Sequence, residues 1–409
     1  MKEGSKVINQ GGFGCIFYPS LPCKKERLVL NKSKEYVSKL VEKNFSSKNE
    51  IDIGEIIKKI PFYSLYYVPV LYHCEANLSK VGTKEIKNCN IIDTEEKHIK
   101  YILLKMKYVK NIKFTDYLLT NKNKKHVLNI IFDTYSYLLF SLEQLMNYDV
   151  IHFDFKWDNA VIDLKTELPV ILDFGISIPI QKLLERDRTL NIEKNNESNE
   201  NDQDKQDKYD FFRNYFYTYF PKYSLWPLEV HAMCYVLHEH SRITSESLQK
   251  LIDECVDSNV AFRIFSPDFL VNYKKMSFKT MEHLIDKPRR YVIHECLKFW
   301  NTWDNYALSM SYFQIIQFIS SSGFTSNAFL ISFSKILLGN VHPDASRRSN
   351  YTTTRYEYKS IFYQETSIRD FELLVDNFDF ERFKSESVKE SRRNESLVSH
   401  LSRSVSKSI

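Results

Sequence analysis

A chain of 409 residues, 43% of them hydrophobic, is long enough to fold as two packed units. With 57 basic and 52 acidic residues, its net charge of +5 is too near balance to mark a nucleic-acid binder. No run of about 18 apolar residues marks a membrane span, and the opening MKEGSKVINQ has no apolar core of the secretory kind.

In chain order, residues 7–17 and 35–41 alternate or run apolar and predict short strands. Ile53, Ile56, Ile57 and Ile60 recur at helical spacing, so 48–60 predicts a helix closed by Pro61. Residues 66–74 and 101–109 predict further strands. From 126 to about Tyr148 the stripe Leu128, Ile131, Tyr135, Leu138, Leu142, Leu145 predicts a long helix. Ala160–Ile162 and Val170–Leu172 predict a hairpin. Residues 211–380 are mainly helical in pattern. Segment 186–208 carries only Leu190 and Ile192 as apolar residues and reads as a disordered insert, and the Ser-rich end 384–409 reads as a disordered tail. The seven cysteines are odd in number, scattered and without a CxxC. They read as free thiols in a reducing compartment, neither a disulfide framework nor a zinc site.

Four stretches carry chemistry. In INQGGFGCIFYP, three of the chain's nine glycines stand at 11, 12 and 14. A glycine turn between strands can cover phosphates with backbone N–H groups; an ordinary hairpin turn would use the same residues. In YVSKLV, Lys39 sits in an apolar strand, where a charge needs a partner. A phosphate together with a carboxylate of the following helix would supply one, Glu50 near the helix start being the candidate and Glu55 the second choice; an edge strand facing water would need none. In HFDFKWDN, large aromatics prop a polar set. Asp154 can accept a hydroxyl proton, Lys156 can neutralise a phosphoryl group in transfer, and the Asn159 amide oxygen can meet Mg2+. His152 reads as a brace for this loop. In ILDFGIS, Asp173 ends an apolar strand and offers a second hard-oxygen ligand, while Gly175 allows a sharp turn.

The order glycine loop, strand Lys, helix Glu, HxDxKxxN and DFG resembles the eukaryotic-type protein kinases over roughly residues 7–350, and Lys156 is similar to the serine/threonine class. GGFGCIFYPSLPC, YVSKLV and YSLWPLEVH look like the kinases of large nucleocytoplasmic DNA viruses of the mimivirus, phycodnavirus and iridovirus type.

The resemblance implies an α+β, bilobal protein-kinase-like fold. It would have a small antiparallel β N-lobe with one helix (1–108) and a larger, mainly helical C-lobe (109–380) with a helical insert at 230–300. It implies an ATP-dependent, Mg2+- or Mn2+-using serine/threonine protein kinase, monomeric, acting on protein substrates in the host cytoplasm, viral factory or virion. ATP contacts are implied for Asn9, Gly11, Gly12, Phe13, Gly14, Ile16, Lys39, Met106, Lys107 and Val109, and metal contacts for Asn159 and Asp173. Pro227 and Glu229 of WPLE would stand where other kinases carry APE. Arg347 or Arg348 would pair with Glu229, and Asp304 would hold the backbone of the 152–159 loop. Two departures bear on activity. Asn9 stands where the first loop glycine is usual, and Phe153 replaces the Arg before Asp154, which implies control other than by loop phosphorylation. A catalytically weak pseudokinase or scaffold is the alternative; a small-molecule kinase fits less well, since those usually lack a Lys two residues after the Asp and a Gly after the second metal Asp.

Overall fold

A computed structural model describes residues 5–11, 14–24, 33–92, 99–193, 208–320, 327–363 and 365–389. In chain order the strands are β1 Lys6–Gly11, β2 Gly14–Tyr18, β3 Tyr36–Glu42, β4 Tyr72–Glu75, β5 Tyr101–Lys107, β6 Asn111–Lys113, β7 Val150–Ile151, β8 Ala160–Asp163, β9 Pro169–Ile171 and β10 Ile178–Pro179. The helices are α1 Phe45–Ile57, α2 Thr83–Lys87, α3 Phe114–Thr120, α4 Lys124–Asn147, α5 Ile180–Glu193, α6 Asp210–Arg213 and α7 Leu228–His238. They continue with α8 Ser245–Ser258, α9 Pro267–Met281, α10 Arg289–Leu297, α11 Trp303–Ser320, α12 Ala328–Asn340, α13 Tyr351–Phe362 and α14 Glu365–Asn377. The protein is α+β, a small antiparallel sheet followed by a helical part. No helix among the described residues is long and apolar enough to cross a membrane.

The chain divides into two compact units. The described part of the first comprises residues up to Ile112 together with Asn159–Ser177. Its sheet has the order β1-β2-β3-β5-β4, antiparallel throughout. Alternation along β3 and β5 makes two cores. Cys15, Phe17, Leu21, Leu40, Tyr101 and Leu103 pack on one face. Val37, Val41, Ile102, Leu104 and Met106 pack on the other with Val68, Val70 and Val170. Period two puts Lys39 on the Val37/Val41 face. A Cβ on Gly14 would lie 2.7 Å from the Leu40 carbonyl oxygen, so β2 and β3 approach this closely only with glycine there. That gives Gly14 a packing reason independent of any phosphate.

The expectation of free thiols is overturned for four cysteines. Cys15 is bonded to Cys89 and Cys23 to Cys74, while Cys234, Cys255 and Cys296 are free and buried. Scattered spacing hid this, because folding of the first unit brings together cysteines 74 and 51 residues apart. Disulfides persist in oxidising surroundings, so the reading of a reducing compartment loses its footing. The predicted strand 66–74 shrinks to β4. Tyr67 makes only an isolated bridge to Ile171, and Tyr63–Leu65 turns as a 3-10 helix.

The second unit comprises Lys113–Asp158 and Ile178–Glu390. Its spine is α11, buried from Trp303 to Ile319 on most of its sides. The Tyr312 hydroxyl of α11 donates to the Ile131 carbonyl of α4 at 2.9 Å, and the Tyr312 and Tyr135 rings meet edge to face at 4.8 Å. Helices α7 to α10 fill the 230–300 region. Two expectations of disorder are corrected. Residues 186–193 are the last turns of α5, anchored by buried Leu183 and Leu190 and by a 2.7 Å contact between Asp187 and His294. Residues 384–389 continue a helix begun at 380, where Phe380 and Phe383 are buried. The remainder of both segments, 194–207 and 390–409, lies outside the described residues.

The two disulfides cross-link the first unit alone. We expect reduction, or the paired Cys15→Ser/Cys89→Ser change, to lower that unit's unfolding free energy by about 2–4 kcal/mol. The check is denaturant unfolding with and without reductant; coincident curves would refute it.

Candidate functional site

The candidate residues fall on both units and are described unit by unit. In the first, Lys39 and Glu50 are both buried, and the Lys39 Nζ donates to Glu50 Oε1 and Oε2 at 3.0 and 2.9 Å and to Asp173 Oδ1 at 2.9 Å. The helix chooses Glu50 over Glu55. Glu50, Ile53, Gly54 and Ile57 form the buried face at i, i+3, i+4 and i+7, whereas Glu55 points off it and pairs with Lys58. The helix begins three residues earlier than its apolar period predicts, because Asn44 caps it and forms a capping box with Ser47. Its first turns are tied to the strand-end segment. Ser46 Oγ donates to the Gly175 carbonyl at 3.1 Å, and Asn49 Nδ2 donates to the Ser177 carbonyl at 2.7 Å.

Burial works against the Lys39 charge, but the Asp173 and Glu50 carboxylates outweigh it and hold the ammonium above its ordinary pKa. Burial pushes the Glu50 carboxyl up, against the pull of Lys39. Asp173 takes a left-handed backbone, φ 60°, and its side chain is about half exposed at 48%. A Cβ on Gly175 would come within 3.3 Å of Asp173 Oδ1 and 3.5 Å of Glu50 Oε2, so glycine leaves the charged triad its room. Asn159 is buried and closes the 3-10 turn Trp157–Asn159; its carbonyl accepts from Leu172 N at 2.8 Å.

Among the described residues no group of three or more His, Cys, Asp or Glu side chains could hold a metal ion. Asp173 and Asn159 offer hard oxygen donors of the kind that suit Mg2+, which completes its shell with phosphate and water.

Around this triad, Asn9 and Gly11 are exposed on β1, Gly14 is buried, and Ile16 is half-buried on β2. Gly12 and Phe13 lie outside the described residues. Met106 is buried near the end of β5, Lys107 is exposed, and Val109 is half-buried. Ile16, Tyr18, Tyr108, Val109 and Leu172 all pack, partly buried, on the core face that carries Met106. Tyr18 and Tyr108 stack with centroids 4.0 Å apart. Tyr18 and Leu172 escaped the sequence reading; Leu172, next to Asp173, is the one that position could have signalled.

In the second unit, the backbone N–H groups of His152 and Phe153 donate to Asp304 at 2.6 and 2.9 Å. Burial pushes the Asp304 carboxyl up, against the two amides and His152. Phe153 sits at φ 68°, an uncommon region for a bulky residue, and the chain over-determines it. Its ring stacks on Trp226 at 4.8 Å, and its carbonyl accepts from Trp226 Nε1 at 2.8 Å. Lys156 Nζ donates to Asp154 Oδ2 at 2.7 Å. Trp157 Nε1 donates to the Ser311 carbonyl at 3.1 Å, and its ring stacks on Phe114 at 4.4 Å.

Of the two arginines, Arg348 is the buried one. It makes a two-pronged pair with Glu229, the second prong at 3.0 Å, while Arg347 is exposed. Pro227 is the N-cap residue of α7, one position before the helix starts. The sequence reading took Pro227 and Glu229 from YSLWPLEVH and missed Tyr223 and Trp226. The Tyr223 hydroxyl donates to Asp154 Oδ1 at 2.6 Å.

The chain matches no protein-family profile and no curated protein sequence.

Two outcomes follow. Lys39→Met strands a buried Glu50 carboxylate and should destabilise the first unit by about 3–5 kcal/mol; adding Glu50→Gln should recover part of that in a double-mutant unfolding cycle. His231 is buried and neutral, and donates from Nε2 to the Tyr223 carbonyl at 3.1 Å. Burial pulls its pKa down to about 4 from 6.5, against hydrogen bonds to the Tyr223 and Trp226 backbone. The unfolded state therefore binds the proton more readily. Stability is full above pH 6.5 and should fall by about 3 kcal/mol as pH drops towards 4. His231→Gln, which keeps a donor but cannot titrate, should flatten that slope in unfolding measured across this range.

Proposed function

We propose that the chain is an ATP-dependent serine/threonine protein kinase. The observation that carries the reading is the Lys39–Glu50–Asp173 triad, assembled from residues up to 134 apart, with Gly175 keeping its space open. A strand lysine buried between two carboxylates, one of them half exposed, has the chemistry of a phosphate-orienting group.

In this reading the half-buried Ile16, Tyr108, Val109 and Leu172 offer the adenine an apolar seat near Met106. The Lys39 ammonium, aimed by Glu50, meets the nucleotide phosphates. Asp173 and Asn159 would hold Mg2+, which when bound draws charge from those phosphates. On the second unit, Asp154 orients the acceptor hydroxyl and takes its proton, and Lys156 offsets charge on the group in transfer. Asp304 acts through the backbone of 152–153 and is a positioning residue. The positive-φ Phe153 is held without an arginine, which supports control other than by a phosphate on the segment before WPLE.

The test is transfer of labelled γ-phosphate from Mg-ATP to mixed protein substrates, comparing wild type, Asp154→Ala and Lys39→Met. Label on Ser or Thr that falls at least about a hundredfold in both variants is the expected result. A thermal shift with Mg-ATP but no label in any protein would favour the pseudokinase.

A further inference from the structure

The acceptor residue Asp154 is already occupied. Its Oδ2 takes Lys156 Nζ at 2.7 Å and its Oδ1 takes the Tyr223 hydroxyl at 2.6 Å. With both donors in place the Asp154 side chain is only 17% exposed. Lys156 already holds one of the two carboxylate oxygens. Tyr223 brings something different, an O–H on the other carboxylate oxygen, the same kind of donor an incoming Ser or Thr would bring. The contact is local to the second unit and rests on the Tyr223 side chain.

Nothing else in the segment needs that hydroxyl. The Tyr223 carbonyl is held by His231, Trp226 is held by the Phe153 carbonyl and ring, and the Tyr223 and Trp226 rings meet edge to face at 4.9 Å. The segment 223–226 would therefore stay docked on 152–154 if the phenol let go.

We propose that Tyr223 is an internal acceptor mimic, a gate whose hydroxyl holds Asp154 closed and must leave before a substrate hydroxyl can bind. The proposal rests on the kinase reading and adds a regulation that the reading lacks. Burial, and next the Asp154 charge, hold the Tyr223 phenol well above its ordinary pKa. It stays protonated and can donate to Asp154, but cannot serve as a base in its place. A donor to an ionised carboxylate in a covered site is among the stronger hydrogen bonds, so the closed form dominates until a substrate or partner competes.

The test compares wild type, Tyr223→Phe, Asp154→Ala and the double variant in initial-rate phosphoryl transfer to a Ser/Thr protein substrate at saturating Mg-ATP. Phenylalanine keeps the ring packing and deletes only the O–H. We expect Tyr223→Phe to raise kcat/KM for the protein substrate roughly tenfold, with KM for ATP unchanged and no activity in the double variant. An equal or lower rate in Tyr223→Phe overturns the gate and makes the hydroxyl a prop, while leaving the kinase reading intact. Transfer undiminished by Asp154→Ala overturns the kinase reading itself. A second measurement needs no activity. The Tyr223 ring signal in side-chain NMR should shift in Asp154→Ala, which frees the phenol, while backbone hydrogen exchange over 223–226 stays near wild type. An unmoved Tyr223 ring signal overturns the gate even if no transfer is detected in any variant.

Discussion

A lysine ammonium inside a sheet face is the constraint on which the first unit is organised. Lys39 is on the Val37/Val41 side of β3 by strand periodicity and cannot be turned to solvent without turning the valines too. It must therefore be neutralised where it lies. That demand fixes which turn of α1 faces the sheet, because only Glu50 of its acidic residues is on the buried face. It meets Asp173 at a left-handed backbone position, and Gly175 spares the Asp173 carboxylate a tight contact at 3.3 Å. Ser46 and Asn49 then tie α1 to the same segment through its carbonyls, so helix, strand and strand end hold one another.

The charged residues of this arrangement were legible in the sequence because their chemistry is conspicuous there. A lysine in an apolar strand and an aspartate at a strand tip break the pattern around them. Glu50 was preferred to Glu55 for its place near the helix start; what was not legible is where α1 starts, because the start is set by an Asn–Ser capping box outside the apolar period. The cysteines were misread for a related reason. Their pairing is a property of the sheet: Cys15 faces the core that Leu40 and Leu103 build, and Cys89 is buried in that same core. No spacing rule along the chain contains that information. Gly14 shows a different limit. Its place in a glycine cluster suggested phosphate, whereas contact with the β3 backbone is enough to require it.

In the second unit the buried Arg348 and Glu229 are accommodated the same way, by pairing. Arg348 reaches Glu229 with two prongs, Thr302 with a third contact at 3.2 Å and the His342 carbonyl with a fourth at 3.0 Å, and Tyr306 covers its guanidinium at 5.1 Å. The fork geometry explains why an arginine stands there and a lysine would not serve. The sequence offered two adjacent arginines. Only the chain's path after the 3-10 turn at Ala345–Arg347 turns the second one inward.

Phe153 stands where the sequence reading expected an arginine, and the structure shows what a phenylalanine does at that position. An arginine there is a device for reading a charge, and it holds its segment only when the charge is present. Phe153 instead stacks on Trp226, packs edge to face on Phe216 at 5.6 Å, and presents its carbonyl to the Trp226 indole. These contacts depend on burial and ring geometry, which no modification switches on or off. Asp304 adds two backbone hydrogen bonds that keep residue 153 at its positive φ. Docking of the WPLE segment is thus built into the folded chain. The Tyr223 hydroxyl on Asp154 stands outside these ties: its release leaves the Phe153 stack, the Trp226 indole hydrogen bond and the Asp304 contacts in place.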